Sequence, residues 1–123
     1  MKQNVVGWFE IYVSDMGRAR KFYESVLNTA LEKLEVDSME MWMFPWHDGA
    51  PGSGGALAKM EGVSPGNGGT MIYFVCEDCA VEESRVVPNG GEVVMPKFAI
   101  GVNGFVSIVK DTEGNCIGLH SMQ

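Results

Sequence analysis

The sequence predicts an α+β fold built from two paired βαβββ modules, whose strands form a curved mixed sheet around a cleft. A strand pattern followed by an acidic residue and a helix pattern occurs twice, at residues 8–28 and 71–91. Three short strand candidates follow each occurrence. The length of 123 residues suits a single domain, with a first module at about 1–62 and a second module at about 68–123.

The first strand is predicted within WFEIYVSD, a run of aromatic and β-branched residues that contains one carboxylate. Because consecutive strand side chains point to opposite faces, Trp8, Glu10 and Tyr12 share one face. Ile11 and Val13 share the other face. A carboxylate on such a strand is costly unless it meets water, a partner or a ligand. We therefore expect Glu10 to face a cavity, while the face of Ile11 and Val13 is buried in the core.

An amphipathic helix of about three turns follows this strand. Ser14 or Asp15 is placed to cap its N-terminus, and Asn28 is placed to end it in a left-handed conformation. Its apolar residues recur at helical spacing and are Met16, Ala19, Phe22, Tyr23, Val26 and Leu27. This spacing gives the helix one apolar face that can pack against a sheet.

The second module repeats the order of the first, and Asp78 is the predicted N-cap of its helix, as Asp15 is in the first module. Pro88 and the pair Gly90-Gly91 end its helix. Its strand carries Ile72, Phe74 and Cys76 on one face and Met71, Tyr73 and Val75 on the other. Pairing of the modules would therefore line the cleft with the second set and with the face of Glu10.

The remaining strands are short. They are predicted at about 30–36, 39–44 and 55–60 in the first module and at about 92–95, 104–109 and 116–120 in the second. The stretch KDTEGN (110–115) is a turn with Gly114 placed for positive φ, which predicts a hairpin. The segment KFAIGVNG (97–104) is predicted to be a loop between two strands.

The composition excludes several classes of partner. The net charge of −7 argues against nucleic acid and against an anionic membrane surface. No stretch has the apolar length needed to cross a bilayer, and the N-terminus MKQNVVGWFE lacks the apolar segment of a signal peptide. Three cysteines favour a reduced, cytoplasmic protein. Core packing and a helix-cap position are sufficient to explain the C-x-x-C spacing of Cys76 and Cys79.

Residues 8–28 and the C-terminal stretch GFVSIVKDTEGNCIGLHSM resemble the vicinal-oxygen-chelate superfamily. This superfamily includes glyoxalase I, the bleomycin-resistance proteins and the extradiol dioxygenases, and the chain is most similar to its bacterial glyoxalase-like, or lactoylglutathione-lyase-related, group. The resemblance covers nearly the whole chain. It implies a small-molecule ligand and a homodimer, in which the cleft lies within one chain or across the two subunits.

In metal-dependent members, the resemblance implies a divalent ion held by His, Glu or Gln side chains from the first and last strands of the modules. These ligand positions fall on Trp8, Met71 and Gly118, none of which is an ordinary metal ligand. Glu10 and His120 lie two residues further along the same faces and are the only cleft candidates for metal binding. Because catalytic zinc usually has three protein ligands, the sequence leaves the presence of a metal open.

Glu10 and His120 are also the candidate catalytic pair. Glu10 would be a general base or a metal ligand, or else a solvated carboxylate at the rim of a wet cleft. His120 would pair with Glu10 across the cleft, or else lie exposed near the C-terminus. His47 and Asp48 would supply a further ligand or would be exposed loop residues.

Other side chains are candidates for contact with the substrate. An aromatic wall would suit a flat or apolar ligand, and a methionine would make the cleft adaptable. Lys97 would meet an anionic group or belong to a plain loop. The candidates for substrate binding are Trp8, Tyr12, Met71, Tyr73 and Lys97. Trp42 is expected to pack in the core.

Our leading hypothesis is a glyoxalase-like protein that binds a small oxygenated metabolite and, if it is an enzyme, transforms it as a lyase or isomerase. The residues at the three ligand positions argue against true glyoxalase I activity. The alternative is a protein that sequesters an antibiotic without catalysis, for which an aromatic and acidic cleft would suit a cationic planar drug. A ligand-sensing or purely structural dimer is a third hypothesis.

Overall fold

The protein is described by a computed structural model that covers residues 4–66 and 68–123. The first module contains β1 (Trp8–Tyr12), α1 (Met16–Val26), β2 (Glu32–Leu34), β3 (Glu40–Met43) and β4 (Gly54–Lys59). The second contains β5 (Tyr73–Val75), α2 (Cys79–Val86), β6 (Glu92–Ala99), β7 (Phe105–Lys110) and β8 (Cys116–Ser121). The predicted α+β class and the repeated βαβββ order are confirmed.

Each module forms its own four-stranded mixed sheet, with strand order β1-β4-β3-β2 in the first and β5-β8-β7-β6 in the second. The first and last strands of each module are parallel neighbours, and the other pairs are antiparallel. This register sets Trp8 opposite Gly54 and Tyr73 opposite Gly118. Residues that are opposite in register share a face of the sheet, so each aromatic ring lies beside a glycine.

The helix boundaries follow the predicted signals. The Asp15 carboxylate accepts a hydrogen bond from the backbone N–H of Arg18 at 3.0 Å and caps α1. Asn28, just past the end of α1, has φ of +50°. Asp78 caps α2 in the same way, and Gly90 closes the 3₁₀ turn that follows with φ of +92°. Local residue chemistry therefore fixes where both helices begin and end.

One apolar core joins the two modules. The helices α1 and α2 contact each other, and each helix packs on strands of its own module. Phe22 and Tyr23 on α1 are fully buried. The rings of Phe9 on β1 and Phe74 on β5 meet edge to face, with centroids 6.2 Å apart. The strand faces predicted to be buried, which carry Ile11 and Val13 in the first module, do contribute to this core.

A buried polar network also joins the modules, between α1 and the turn that connects β7 to β8. The phenol of Tyr23 donates to Oδ2 of Asp111 at 2.6 Å. The Glu113 carboxylate, whose side chain has no exposed surface, accepts from Arg18 Nε at 2.7 Å and from the backbone N–H groups of Ser14 and Asp15 at 2.9 Å. These bonds fix the first helix against the second sheet.

The strand β6 corrects the prediction for this part of the chain. It extends to Ala99, whereas the sequence predicted a strand at 92–95 and a loop at 97–104. Pro96 interrupts the pattern, but β6 is an edge strand, where a missing backbone N–H is tolerated. Its ladder with β7 shifts register on both sides of Met95. Lys97 therefore lies in a strand rather than in a loop.

Two other strands are shorter than predicted. The structure limits β2 to Glu32–Leu34, inside the predicted range of 30–36, and β5 begins at Tyr73, so Met71 precedes the strand. Within the ranges that the model describes, neither helix is long and apolar enough to cross a membrane.

Candidate functional site

Two neutral donors hold the Glu10 carboxylate on the outer face of β1. The indole Nε1–H of Trp8 donates to Oε2 at 3.1 Å, and the phenol of Tyr12 donates to Oε1 at 2.7 Å. The three side chains share a face because they alternate along the strand. The cost of placing a carboxylate on a half-buried strand is offset by these bonds, since each oxygen keeps a partner. The carboxylate is therefore fixed in position.

Tyr12 keeps its proton at neutral pH. The hydrogen bond to Glu10 raises the pKa of the Tyr12 phenol, and partial burial and the negative charge of Glu10 raise this pKa further. A phenol that keeps its proton donates it to the carboxylate oxygen of Glu10. The bond from Tyr12 to Glu10 is therefore kept over the whole neutral range.

Trp46, which the sequence did not single out, lies beside this group. A Cβ on Gly54 would lie 2.8 Å from the Trp46 ring and 3.5 Å from the Trp8 ring, so both indoles pack over this glycine. Both residues are exposed, with 42% of the surface of Trp8 and 53% of the surface of Trp46 accessible to solvent. The sequence did contain a signal for Trp46, because it lies in the Gly/Pro-rich loop PWHDGAPGSGG. Such loops run over the surface, so a tryptophan there is expected to be exposed rather than part of the core.

A cavity of about 250 Å³ opens beside Glu10 and Tyr12, where β1 approaches the second module. The connecting segments 64–66 and 68–70 form its rim. Asn115, another residue that the sequence did not single out, holds this rim in place. Its amide donates to the carbonyl of Tyr12 at 2.9 Å and accepts from the backbone N–H of Gly66 at 2.8 Å.

On the second sheet, Tyr73 covers Gly118. A Cβ on Gly118 would overlap the Tyr73 ring, so the glycine is what allows the ring to lie there. Tyr73 is nearly half exposed. Together with His120 and three apolar side chains it lines a separate, open depression of about 350 Å³.

The structure does not bring His120 into contact with Glu10. In the described part of the chain the two side chains share no hydrogen bond and line different cavities. The ring nitrogen Nε2 of His120 lies 2.6 Å from the carbonyl oxygen of Asn103. Because a carbonyl can only accept, Nε2 carries the proton in this arrangement.

The residues present do not form a ready metal site. Within residues 4–66 and 68–123, no three His, Cys, Asp or Glu side chains are grouped as ligands. The Tyr73 ring fills the space at Gly118, where the resemblance places a carboxylate ligand. Nε2 of His120 is directed at a carbonyl, and His120 and Glu10 line different cavities, so the two side chains do not converge as ligands of one ion.

Lys97 and Met71, predicted to touch a substrate, lie in other surroundings. The ammonium group of Lys97 is 2.8 Å from the Asp78 carboxylate at the start of α2 and lies over the ring of Phe105. The charge of Lys97 is therefore already paired with a carboxylate of the protein. Met71 lines an apolar cavity of about 370 Å³ that also borders Tyr73.

The other sequence candidates have ordinary structural places. His47 and Asp48 are exposed. Trp42 packs against the core and stacks under the guanidinium of Arg20, 3.4 Å from the ring centroid. Cys76 and Cys79 are buried free thiols, as expected from core packing and a helix start.

A protein-family model supports the resemblance found in the sequence. The model described as the Glyoxalase/Bleomycin resistance protein/Dioxygenase superfamily matches residues 5–119. The chain is 28% identical, over 133 aligned positions, to the protein of Mycobacterium bovis named "Putative glyoxylase CFP32" and to the protein of the same name from Mycobacterium tuberculosis. The alignment covers 96% of this chain and 46% of those relatives, so the chain spans less than half of their length.

Solved structures show the same fold. A glyoxalase/bleomycin resistance protein from Albidiferax ferrireducens is 19% identical, with a TM-score of 0.71 over 94% of this chain and 98% of that one. TnmS3, an antibiotic binding protein from Streptomyces, is 23% identical, with a TM-score of 0.69 over 98% of both chains. Glyoxalase I from Zea mays is 19% identical, with a TM-score of 0.71 over 94% of this chain and 45% of that one.

Proposed function

Because the chain belongs to the Glyoxalase/Bleomycin resistance protein/Dioxygenase superfamily, we propose that it is a glyoxalase-like protein that binds a small oxygenated molecule at Trp8, Glu10 and Tyr12. The observation that carries this proposal is the Glu10 carboxylate, which two neutral donors fix on the exposed face of β1. A carboxylate that is oriented before a ligand arrives can accept a further hydrogen bond without an ordering cost. The adjacent cavity of about 250 Å³ gives room for a small molecule.

If the ligand is transformed, Glu10 is the group placed to take a proton from it. The carboxylate accepts from Trp8 and Tyr12 and keeps a lone pair on each oxygen for a ligand O–H or C–H. Proton abstraction next to a carbonyl is the class of step that a lyase or isomerase would need. His120 and Tyr73 are proposed to contact a larger ligand from the second sheet, where they line one depression.

Binding without catalysis is the second candidate. It is favoured by the two exposed indoles of Trp8 and Trp46, which offer apolar surface beside Glu10 without adding an acid or a base. The fold is shared with TnmS3, an antibiotic binding protein.

We also propose that the chain is a cytoplasmic homodimer. Light scattering after size exclusion would test the dimer by giving twice the chain mass of 13.4 kDa.

The experiment is calorimetric titration with four small oxygenated compounds: pyruvate, hydroxyacetone, diacetyl and catechol. We expect at least one compound to bind the wild-type protein, and we expect Glu10→Gln to weaken that binding or to abolish turnover measured by NMR. The matched control is Glu35→Gln, which removes the same charge from an exposed position outside the site. Binding that is equally strong in wild type and Glu10→Gln, with turnover unchanged, would refute the site.

A further inference from the structure

Within residues 4–66 and 68–123, the negative charge of Glu10 has no positive partner. In the described part of the chain the ion pairs join Arg18 to Glu113, Arg20 to Glu24 and Lys97 to Asp78. Glu10 is in none of these pairs. Its two hydrogen-bond donors, an indole and a phenol, are neutral, so they orient the carboxylate without neutralising its charge.

Two aromatic rings lie beside this charge with their polar edges turned towards it. Trp8 and Tyr12 flank Glu10 along β1, and Trp46 joins Trp8 over Gly54. The π faces of indole and phenol attract cations, and tryptophan attracts them most strongly. The partly exposed carboxylate therefore offers an ionic contact, and the exposed indole surface of Trp8 and Trp46 next to it offers a cation–π contact to the same ligand.

We propose that the site at Trp8, Glu10 and Tyr12 selects organic cations, with the positive charge beside Glu10 and the attached carbon groups against Trp8 and Trp46. This inference rests on the small-molecule site proposed above and assigns the ligand's chemical class. A substituted ammonium is the simplest ligand of this kind, because its charge is spread over methyl groups that can contact an aromatic face. The acidic net charge of −7 adds a weak general attraction for cations, which the test must separate from the site.

The test compares choline with 3,3-dimethylbutan-1-ol, an alcohol of the same shape in which carbon replaces the charged nitrogen. Binding is followed by NMR through the indole N–H resonances at constant ionic strength. We expect choline to bind about tenfold more tightly than the alcohol, because only the cation gains the contact with Glu10. We expect Glu10→Gln to remove most of this preference and Glu35→Gln, which makes the same change in net charge, to retain it.

Equal affinity for choline and the alcohol would overturn the inference, as would an equal loss of choline affinity in Glu10→Gln and Glu35→Gln. Failure of both probes to bind would overturn it as well. In each of these cases the oxygenated compounds tested above decide the broader proposal separately. If one of them binds at Trp8 while choline does not, the small-molecule site stands and its selection of cations is wrong.

Discussion

The ring of Tyr73 lies over Gly118, its neighbour across β5 and β8, in the space that a Cβ would occupy. Gly118 is also the position at which the superfamily resemblance places a carboxylate ligand. The ligand position is therefore not an empty place on the strand, because an aromatic side chain from the neighbouring strand fills it. The departure from the metal-dependent pattern therefore involves two residues of complementary shape, because the glycine at position 118 leaves the space that the Tyr73 ring fills.

This match predicts a coupling between the two residues. We expect Gly118→Ala to displace the Tyr73 ring and to lower the free energy of unfolding by about 1 kcal/mol. The ring is nearly half exposed and can move, so the cost stays small. In the background of Tyr73→Ala the same change at Gly118 should cost nearly nothing. Urea unfolding of the four proteins gives the coupling energy, and additive effects would contradict the overlap.

Acid stability is expected to depend on Glu113. Burial opposes ionisation of this carboxyl, but hydrogen bonds from Arg18, from the backbone of Asp15 and Ser14 and from Thr112 together lower its pKa to about 2, from an ordinary value of 4.5. A depressed pKa stabilises the fold above pH 4.5, and this contribution is lost as the pH falls from 4.5 towards about 2.

The stabilisation by Glu113 is on the order of 2 kcal/mol at neutral pH, because Arg18 is half exposed and its attraction is screened. Glu113→Gln should therefore destabilise the protein at pH 7, and the difference from wild type should shrink as the pH approaches 2. Denaturant unfolding at a series of pH values measures this. A difference that stays constant with pH would contradict the assignment, and Glu35→Gln should show no comparable loss.

Only one of the three thiols is expected to react with Ellman's reagent in the folded protein. Burial, followed by the negative charge of Glu82, raises the pKa of Cys76 to about 12, and Cys79 is fully buried. Cys116 lines the cavity beside Glu10 and is partly exposed. Since the thiolate is the reactive form, Cys116→Ser should abolish the fast reaction and Cys76→Ser should leave it unchanged. Fast labelling of two thiols per chain would disagree with the structure.

Asn115 is expected to hold the rim of the cavity beside Glu10 in position. Loss of its bonds to Tyr12, Gly66 and Asp111 in Asn115→Ala should lower the free energy of unfolding by about 1–3 kcal/mol and loosen the rim of the cavity. Hydrogen exchange should therefore accelerate at the amide of Gly66. The control is Asn89→Ala, whose side chain donates to the carbonyl of Arg85 and lies outside the site. Unchanged exchange at Gly66 in Asn115→Ala would refute the positioning role.

Local patterns in the sequence were sufficient for the order of elements and for the helix ends. Strand alternation correctly separated the buried face of Ile11 and Val13 from the outer face that carries Glu10. The caps at Asp15 and Asp78 depend only on neighbouring residues, and so does the turn at Gly114, which has φ of +85° as predicted. Such features are visible because their physical causes lie within a few residues.

The features that sequence patterns did not predict depend on distant residues. The buried position of Glu113 could not be predicted from neighbouring residues, since its partners Arg18 and Ser14 lie in the other module. Trp46 becomes part of the site only because Gly54, further along the chain, leaves room for its ring. The pairing of Glu10 with neutral donors on its own strand was open to prediction from the two-residue spacing. Whether those donors or His120 would reach it required side-chain geometry.

The most direct measurement of the central claim uses the three tryptophans of the chain, whose indole N–H resonances can be assigned by single Trp→Phe substitutions. Trp8 and Trp46 lie at the proposed site, while Trp42 donates to Glu40 and stacks under Arg20. On addition of choline, or of any oxygenated compound found to bind, we predict shifts at Trp8 and Trp46 and none at Trp42. A compound that binds while the Trp8 resonance stays in place would contradict the account.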